Sequence, residues 1–339
     1  MSTNQHSNDV IVLPDAPASH GLTFRRFRGE KDYPAMVAVI EGSKDADQID
    51  HTETVEDVAC AYRHLVNCDP YQDMLFVEMK GKVIGYSRVW WILRSDGTRS
   101  YCHFVLLLPQ WRGKNIRRAM LHHNEHRLRE IASGHTKEGP RFFEVWAGNA
   151  EVDWVSLLLG EGYKPVRYSF EMVRPNLEDI PDLPLPQGLE VRPAKPEHYR
   201  TIYRAAWEAF QDHWGCTEWL EEEFEQWKEQ PIFNPDLWQV AWDGNEVAGM
   251  ILNFINKKEN REFDRKRGYT ETICVRRPWR KKGLARALLA RSFKVLESQG
   301  MTEAALGVDA ENISGALGLY ESMGFRTVKR HAIYRKPLD

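Results

Sequence analysis

The sequence predicts an α/β protein of the α+β kind: two tandem copies of one unit, each a mixed, largely antiparallel sheet flanked by helices. Three observations lead there. Short segments recur in the same order at a nearly constant offset, the mark of an internal duplication. Each copy holds a tight hairpin signal between apolar runs, Lys80–Gly81 in the first and Asp243–Gly244 in the second. Strands and helices alternate, but the hairpins among them disfavour a doubly wound parallel sheet. A length of 339 residues leaves each copy enough chain for its own core.

The elements follow in order. Residues 1–20 are polar and contain Pro, and they read as a disordered tail with no apolar region of a signal peptide. Gly21–Arg25 and Gly188–Arg192 read as the same opening strand. Apolar-periodic helices follow over Tyr33–Ile40 and Tyr199–Phe210. The hairpins come next, over 76–85 and 238–249. Then Pro109–Gln110–Trp111–Arg112–Gly113–Lys114 echoes the basic turn at 278–282, and Asn149–Tyr163 echoes Asn312–Phe325. Pro175–Gln187 is rich in Pro and acidic residues and lacks periodicity, so it is the expected linker. The expected domains are therefore 21–174 and 188–339.

Composition narrows the function. A formal net charge of −3 gives no global basic field, so no nucleic-acid partner is expected. No run of 18 apolar residues suggests a membrane span. The five cysteines are odd in number and lack C-x-x-C spacing, which points to reduced thiols in the cytoplasm and to no metal site. A monomer or homodimer acting on a small molecule is the expectation.

The stretch Val275–Ala285 carries the chemistry. An apolar strand end runs into a tight basic turn with one Gly and then an amphipathic helix. Such a turn aims backbone N–H groups at one spot on the positive end of a helix, a site for phosphate. The Arg-x-x-Gly-x-Ala pattern of Arg280–Ala285 resembles the pyrophosphate loop of the GCN5-related N-acetyltransferases, the GNAT family. Apart from the tail and the linker, both halves resemble GNAT domains. The layout is similar to that of the two-domain acetyltransferases that include mycothiol synthase.

The resemblance implies acyl-coenzyme A, with acetyl-CoA as cosubstrate, lying in a split beside a central strand, Thr272–Val275. Backbone groups of Ile273, Cys274 and Val275 would pair with the pantetheine arm. Arg280, Lys281, Lys282, Gly283, Leu284 and Ala285 would wrap the pyrophosphate, and Asn312 would cap the next helix and contact coenzyme A. Within "Tyr-Glu-x-x-Gly-Phe" at 320–325, Tyr320 would protonate the leaving thiolate. Glu271 is the expected base; strand alternation would put it on one face with Ile273 and Val275 and leave Cys274 on the other. Some family members place this carboxylate where this chain has Tyr269.

The first copy departs at these positions. Its turn has Asn115 for Gly283 and Arg117 for Ala285, and Leu158 aligns with Tyr320. His103 lies where a base could come from, though a lone strand His also suits a structural role. This half is expected to be catalytically degenerate. In the second copy Asp212, His213 and Trp214 follow the first helix, where an ammonium could be held and Trp214 could stack on a cation. The acidic run Glu221–Glu225 could steer a cationic amine or be a solvated helix face. The favoured function is acetyl-CoA-dependent N-acetylation of a small-molecule primary amine by direct attack in a ternary complex. Two alternatives stay open: a mycothiol-type acetyltransferase, and a non-catalytic acyl-CoA-binding sensor.

Overall fold

The computed structural model describes residues 10–311 and 315–338. The chain divides into two compact units: residues 1–166 with 332–339, and residues 167–331. These boundaries differ from those expected at the linker. Strand β7 (Lys164–Arg174), which ends the first repeat in sequence, pairs through residues 169–174 with β12 (Glu303–Asp309) in the second unit. The end of β13 (Arg326–Pro337) returns to the first unit, where the Leu338 N–H donates to the Arg141 carbonyl at 3.1 Å.

The first unit is built on β1 (Val10–Ile11), β2 (Leu22–Arg25), β3 (Met74–Met79), β4 (Lys82–Leu93), β5 (Arg99–Leu107) and β6 (Arg141–Gly148) in that spatial order. Pairing is antiparallel through β5, and β5–β6 is parallel. Residues 10–20 correct the expectation of a tail. Val10 and Ile11 pair with Arg25 and Phe24, and Leu13 is buried. The first nine residues lie outside the described ones. Helix Ile116–Ser133 packs on one face of this sheet, through Ala119, Met120 and Leu128.

The second unit has the same plan. Its order is β7-β12-β11-β10-β9-β8, with β8 (Glu190–Arg192), β9 (Gln239–Asp243), β10 (Glu246–Phe254) and β11 (Arg267–Val275). One face carries helix Leu284–Ser298, whose Leu288, Leu289, Phe293 and Leu296 pack on Ala248, Ile251 and Leu306. The other carries helix Tyr199–Phe210, whose Ile202, Ala205, Ala206 and Ala209 pack on Val240, Met250 and Leu252. Both helices have apolar residues at three- and four-residue spacing, so one stripe faces the sheet. The segment 175–187 is no free tether. Leu177 is buried, and Ile180, Leu183 and Leu185 pack on the core under helix Leu284–Ser298. Its Pro residues break the periodicity that would have revealed these contacts.

Two backbone features of the second unit position the site. β11 runs parallel to β12 only from Arg267–Glu303 to Tyr269–Ala305, and pairing stops there. Against β10, Cys274 opposes Met250 and Glu271 opposes Leu252, so two residues of β11 face one of β10. This is a β-bulge, and Thr272 within it takes φ 51°, a left-handed conformation that is costly for a β-branched residue. Directly opposed residues share a face. Met250, Leu252 and Cys274 all lie in the core under helix Tyr199–Phe210. Glu271 therefore points to the same face as Cys274, while Ile273 and Val275 pack towards helix Leu284–Ser298. Strict alternation fails here because the bulge adds a residue.

β10 itself pairs closely beside the bulged strand. A Cβ on Gly249 would sit 2.8 Å from the Cys274 carbonyl oxygen. Gly249→Ala is expected to destabilise the protein by about 1–3 kcal/mol, read as a lower midpoint in thermal unfolding; an unchanged midpoint would mean that the two strands separate freely.

Candidate active site

The parting of β11 from β12 opens a cavity of about 780 Å³ in the second unit. Its walls are β11 from Thr270 to Val275, the turn and first residues of helix Leu284–Ser298, Gly307–Asp309 of β12, and Ala316, Leu319 and Tyr320 of helix Ala316–Ser322. Beyond Tyr269 the β12-facing N–H and C=O groups of β11 have no ladder partner in β12, so an extended chain can add there as a strand.

The basic turn forms the far end. Lys281 and Gly283 both adopt positive φ, 60° and 85°. This shape brings the helix start to the cavity with Gly283 at the N-cap and no side chain capping it. The first N–H groups of the helix are thus left for a ligand, at the positive end of its dipole. Lys281, Gly283, Leu284 and Ala285 line the cavity, as does Arg286, which sequence reasoning passed over. Lys282 is exposed and is not among the lining residues.

Arg280 lines the cavity but is committed to holding the turn. Its guanidinium donates to the Val275 carbonyl (2.9 Å), the Ala209 carbonyl (3.1 Å) and the Asp212 carboxylate (2.7 Å). Arg277 pairs with the same carboxylate. Asp212 is therefore a clamp between two arginines, which hold its carboxyl well below the usual range by hydrogen bonding and charge. This corrects the expectation that Asp212 would hold a substrate ammonium, since its charge is already neutralised. His213 lines the cavity, with burial lowering its pKa. Trp214 does not line it; its ring lies 5.6 Å from the Arg167 guanidinium. In the acidic run, Glu221 pairs with Arg200 and Glu225 with Lys228. Asn312 lies outside the described residues.

Glu271 and Tyr320 both reach the cavity. Glu271 keeps some accessible surface because it faces the cavity, yet its carboxyl is enclosed by protein. Burial pushes its pKa up to about 7, opposed by a hydrogen bond from the Gly307 N–H and assisted by the negative charge of Glu171. Tyr320 is buried, and burial together with the nearby Glu271 raises its pKa, so its phenol stays protonated. Cys274 is buried on the face away from helix Leu284–Ser298. Its thiol is pushed up to about 12 by burial, which leaves no thiolate for covalent chemistry at neutral pH.

The first unit has the same split, since β5–β6 pairing ends at Cys102–Glu144. Its turn is clamped in the same way: Arg112 donates to the Leu107 carbonyl (3.0 Å) and pairs with Asp47 (2.6 Å). Asn115 adopts φ 61° where the second unit has Gly283. The split, however, is filled by the chain itself. The Arg117 guanidinium donates twice to the Val105 carbonyl (3.1 and 2.8 Å), pairs with Glu151 (3.3 Å) and lies 4.2 Å from the centre of the Trp154 ring. Ala285 and Ile273 stand at the corresponding positions of the second unit. His103 is fully enclosed, bonded to the Tyr163 hydroxyl at 2.8 Å, and lowered to about 4 by burial. Leu158 is a core residue.

This geometry matches known proteins. Residues 199–325 match the Acetyltransferase (GNAT) family. Over almost the whole chain the fold is that of solved GNAT proteins. A GCN5-related N-acetyltransferase from Sphaerobacter thermophilus has a TM-score of 0.69 at 24% identity, covering 95% of this chain and 97% of that one. A tandem GNAT protein from the clavulanic acid biosynthesis pathway has a TM-score of 0.67 at 12% identity, covering 94% and 99%. The chain thus has the fold of tandem GNAT proteins, and its second unit is similar in sequence to the GNAT family. Among relatives by sequence, the mycothiol acetyltransferases of Geodermatophilus obscurus and Streptomyces bingchenggensis are each 26% identical, over 77% of this chain and 80% of theirs. Among the described residues, no helix is long and apolar enough to cross a membrane.

The buried thiol gives a direct check on the site. Iodoacetamide at neutral pH is expected to leave Cys274 unmodified in the native protein and to label it in denaturant, read by peptide mass mapping. Fast native labelling would place the thiol in solvent.

Proposed function

We propose that the second unit transfers an acetyl group from acetyl-CoA to a primary amine of a small molecule, by direct attack within a ternary complex. The observation that carries this reading is the pair of groups at the split: Glu271, raised to about 7, and Tyr320, kept protonated, both reach one cavity from different elements. Two titratable groups with opposite tasks suit one base and one acid.

Acetyl-CoA supplies the activated thioester. The free edge of β11 at Ile273–Val275 is suited to pair with its pantetheine arm, and the uncapped N–H groups at Gly283–Ala285 suit its pyrophosphate. Gly283 leaves the cradle open, since nothing lies within 4 Å of the place a Cβ would take. Glu271 takes a proton from the acceptor's ammonium and frees its lone pair. The nitrogen then bonds to the thioester carbon, and a β11 N–H stabilises the developing oxyanion. As the carbon–sulfur bond breaks, Tyr320 gives its proton to the thiolate, and the nitrogen's second proton passes to the phenolate as the amide forms. The unreactive Cys274 supports direct attack over a covalent relay.

The relatives' name favours one second reading, a mycothiol-type acetyltransferase. The two readings differ only in the acceptor. An acyl-CoA-binding sensor would bind without turnover.

The site assigned to the second unit makes two predictions. Glu271→Gln is expected to lower kcat/KM by about 10²–10⁴-fold, with Tyr320→Phe lowering kcat. In the wild type the acid limb of kcat/KM should fall below a pKa of about 7, because a protonated Glu271 accepts no proton. Variants with full activity would remove both roles. Calorimetry should find one acetyl-CoA per chain, since Arg117 fills the first split. Ala285→Arg, which transplants that plug, should abolish binding without unfolding the protein; two bound molecules per wild-type chain would show that Arg117 yields.

A further inference from the structure

Glu171 lies on β7, outside the second repeat in sequence, yet it belongs to the second unit. Its register partner on β12 is Gly307. The neighbouring pair, Met172 and Leu306, packs in the core under helix Leu284–Ser298, so Glu171 and Gly307 face the opposite side of the sheet. Glu271 faces that same side because of the bulge. Glu271 and Gly307 line the same cavity, so the Glu271 carboxyl lies beside β12. Two carboxylates on flanking strands thus lie on one face of the sheet, to either side of Gly307.

Gly307 keeps the space between them clear. It lines the cavity, and no heavy atom lies within 4 Å of the position a Cβ would occupy. The two acidic groups differ in their surroundings. Glu171 is bonded by His331 Nε2 at 2.8 Å and has Lys329 at 3.9 Å. Among the described residues, the charged neighbour that shifts Glu271 is Glu171. An enclosed carboxylate beside a second one, in an open cavity, is a poor arrangement unless a positive group completes it.

We propose that the acceptor's ammonium docks over Gly307 between the carboxylates of Glu271 and Glu171, which makes Glu171 a specificity-determining residue of the second unit. This rests on the acetyl-transfer reading above. In this arrangement Glu271 takes the proton, and Glu171, steadied by His331, keeps the amine over the split. The acceptor class is a small amine that is cationic at neutral pH. Its approach requires a residue with no side chain at 307.

The test uses the full chain, acetyl-CoA and a panel of putrescine, histamine and glucosamine, with free-thiol release as readout. For the best acceptor, Glu171→Gln is expected to raise the amine KM by about tenfold or more, with kcat and the acetyl-CoA KM little changed. Glu171→Asp should recover part of the loss. Gly307→Val, which fills the gap, should also raise the amine KM while acetyl-CoA still binds. An unchanged amine KM in Glu171→Gln, with an active wild type, overturns this inference alone. Acetyl-CoA binding without transfer to any amine overturns the acetyl-transfer reading, and this inference falls with it.

Discussion

The parting of β11 from β12 is the constraint on which the site depends. A parallel pair that stayed in register would satisfy its backbone groups internally and leave no edge for a ligand. Here pairing stops after Tyr269–Ala305, and the strand bulges at Thr272 soon afterwards. The cavity, the free edge and the approach to the helix start all follow from that separation. The strain of a β-branched residue at positive φ is about 1–3 kcal/mol, held by the packed core on both faces. In the first unit β4 and β5 pair without a break from Gly85–Leu107 to Leu93–Arg99. His103 consequently faces the helix Ile116–Ser133 side and ends buried against Tyr163, whereas Glu271 at the matching position is turned to the other face. One inserted residue separates a core histidine from a cavity carboxylate.

Comparison of the two copies also changes the meaning of their turns. The sequence contrast that stands out is Gly283 against Asn115. Both adopt the same left-handed conformation, which Asn tolerates, so the turns keep one shape. Both turns are also held by the same device, an Arg bonded to a strand-end carbonyl and to an Asp on the far side. These features maintain architecture and do not mark which copy acts. The difference lies two residues on. Ala285 leaves the split open, while Arg117 sends its guanidinium to the carbonyl that a ligand would otherwise meet. The desolvation of that guanidinium, which lowers it to about 10, is offset by Glu151, the Val105 carbonyl and the Trp154 ring.

Much of this was legible in the chain. Helices Tyr199–Phe210 and Leu284–Ser298 follow from apolar spacing, and the hairpins at 80–81 and 243–244 follow from turn chemistry. Tyr320 follows from the motif that surrounds it and Glu271 from its place two residues before Ile273 on the strand, and both reach the cavity. The misreadings share a cause. Strand alternation is a local rule, and a bulge set by contacts with β10 overrides it, so Glu271 and Cys274 share a face against expectation. Asp212 looked like a ligand for a cation because its two arginine partners lie 65 and 68 residues away in sequence. The segment 175–187 looked like a tether because Pro residues scatter its apolar side chains, which nevertheless pack.

The repeats in sequence are not the units in space, and this explains why one site needs more than its own copy of the motif. A GNAT-type sheet that ended with the residues of the second repeat alone would leave β12 unpaired on one side, an exposed edge beside the cavity. β7 covers that edge through six register pairs from Ser169 to Arg174. It also brings Arg167, which holds Asp309 at the cavity wall through a bidentate pair, and Glu171, the register partner of Gly307. The strand that ends the first repeat in sequence thereby becomes an edge of the second unit's sheet. The first repeat is thus bound into the architecture of the second unit, because the chain that leaves it supplies a strand and charged side chains that the second repeat lacks.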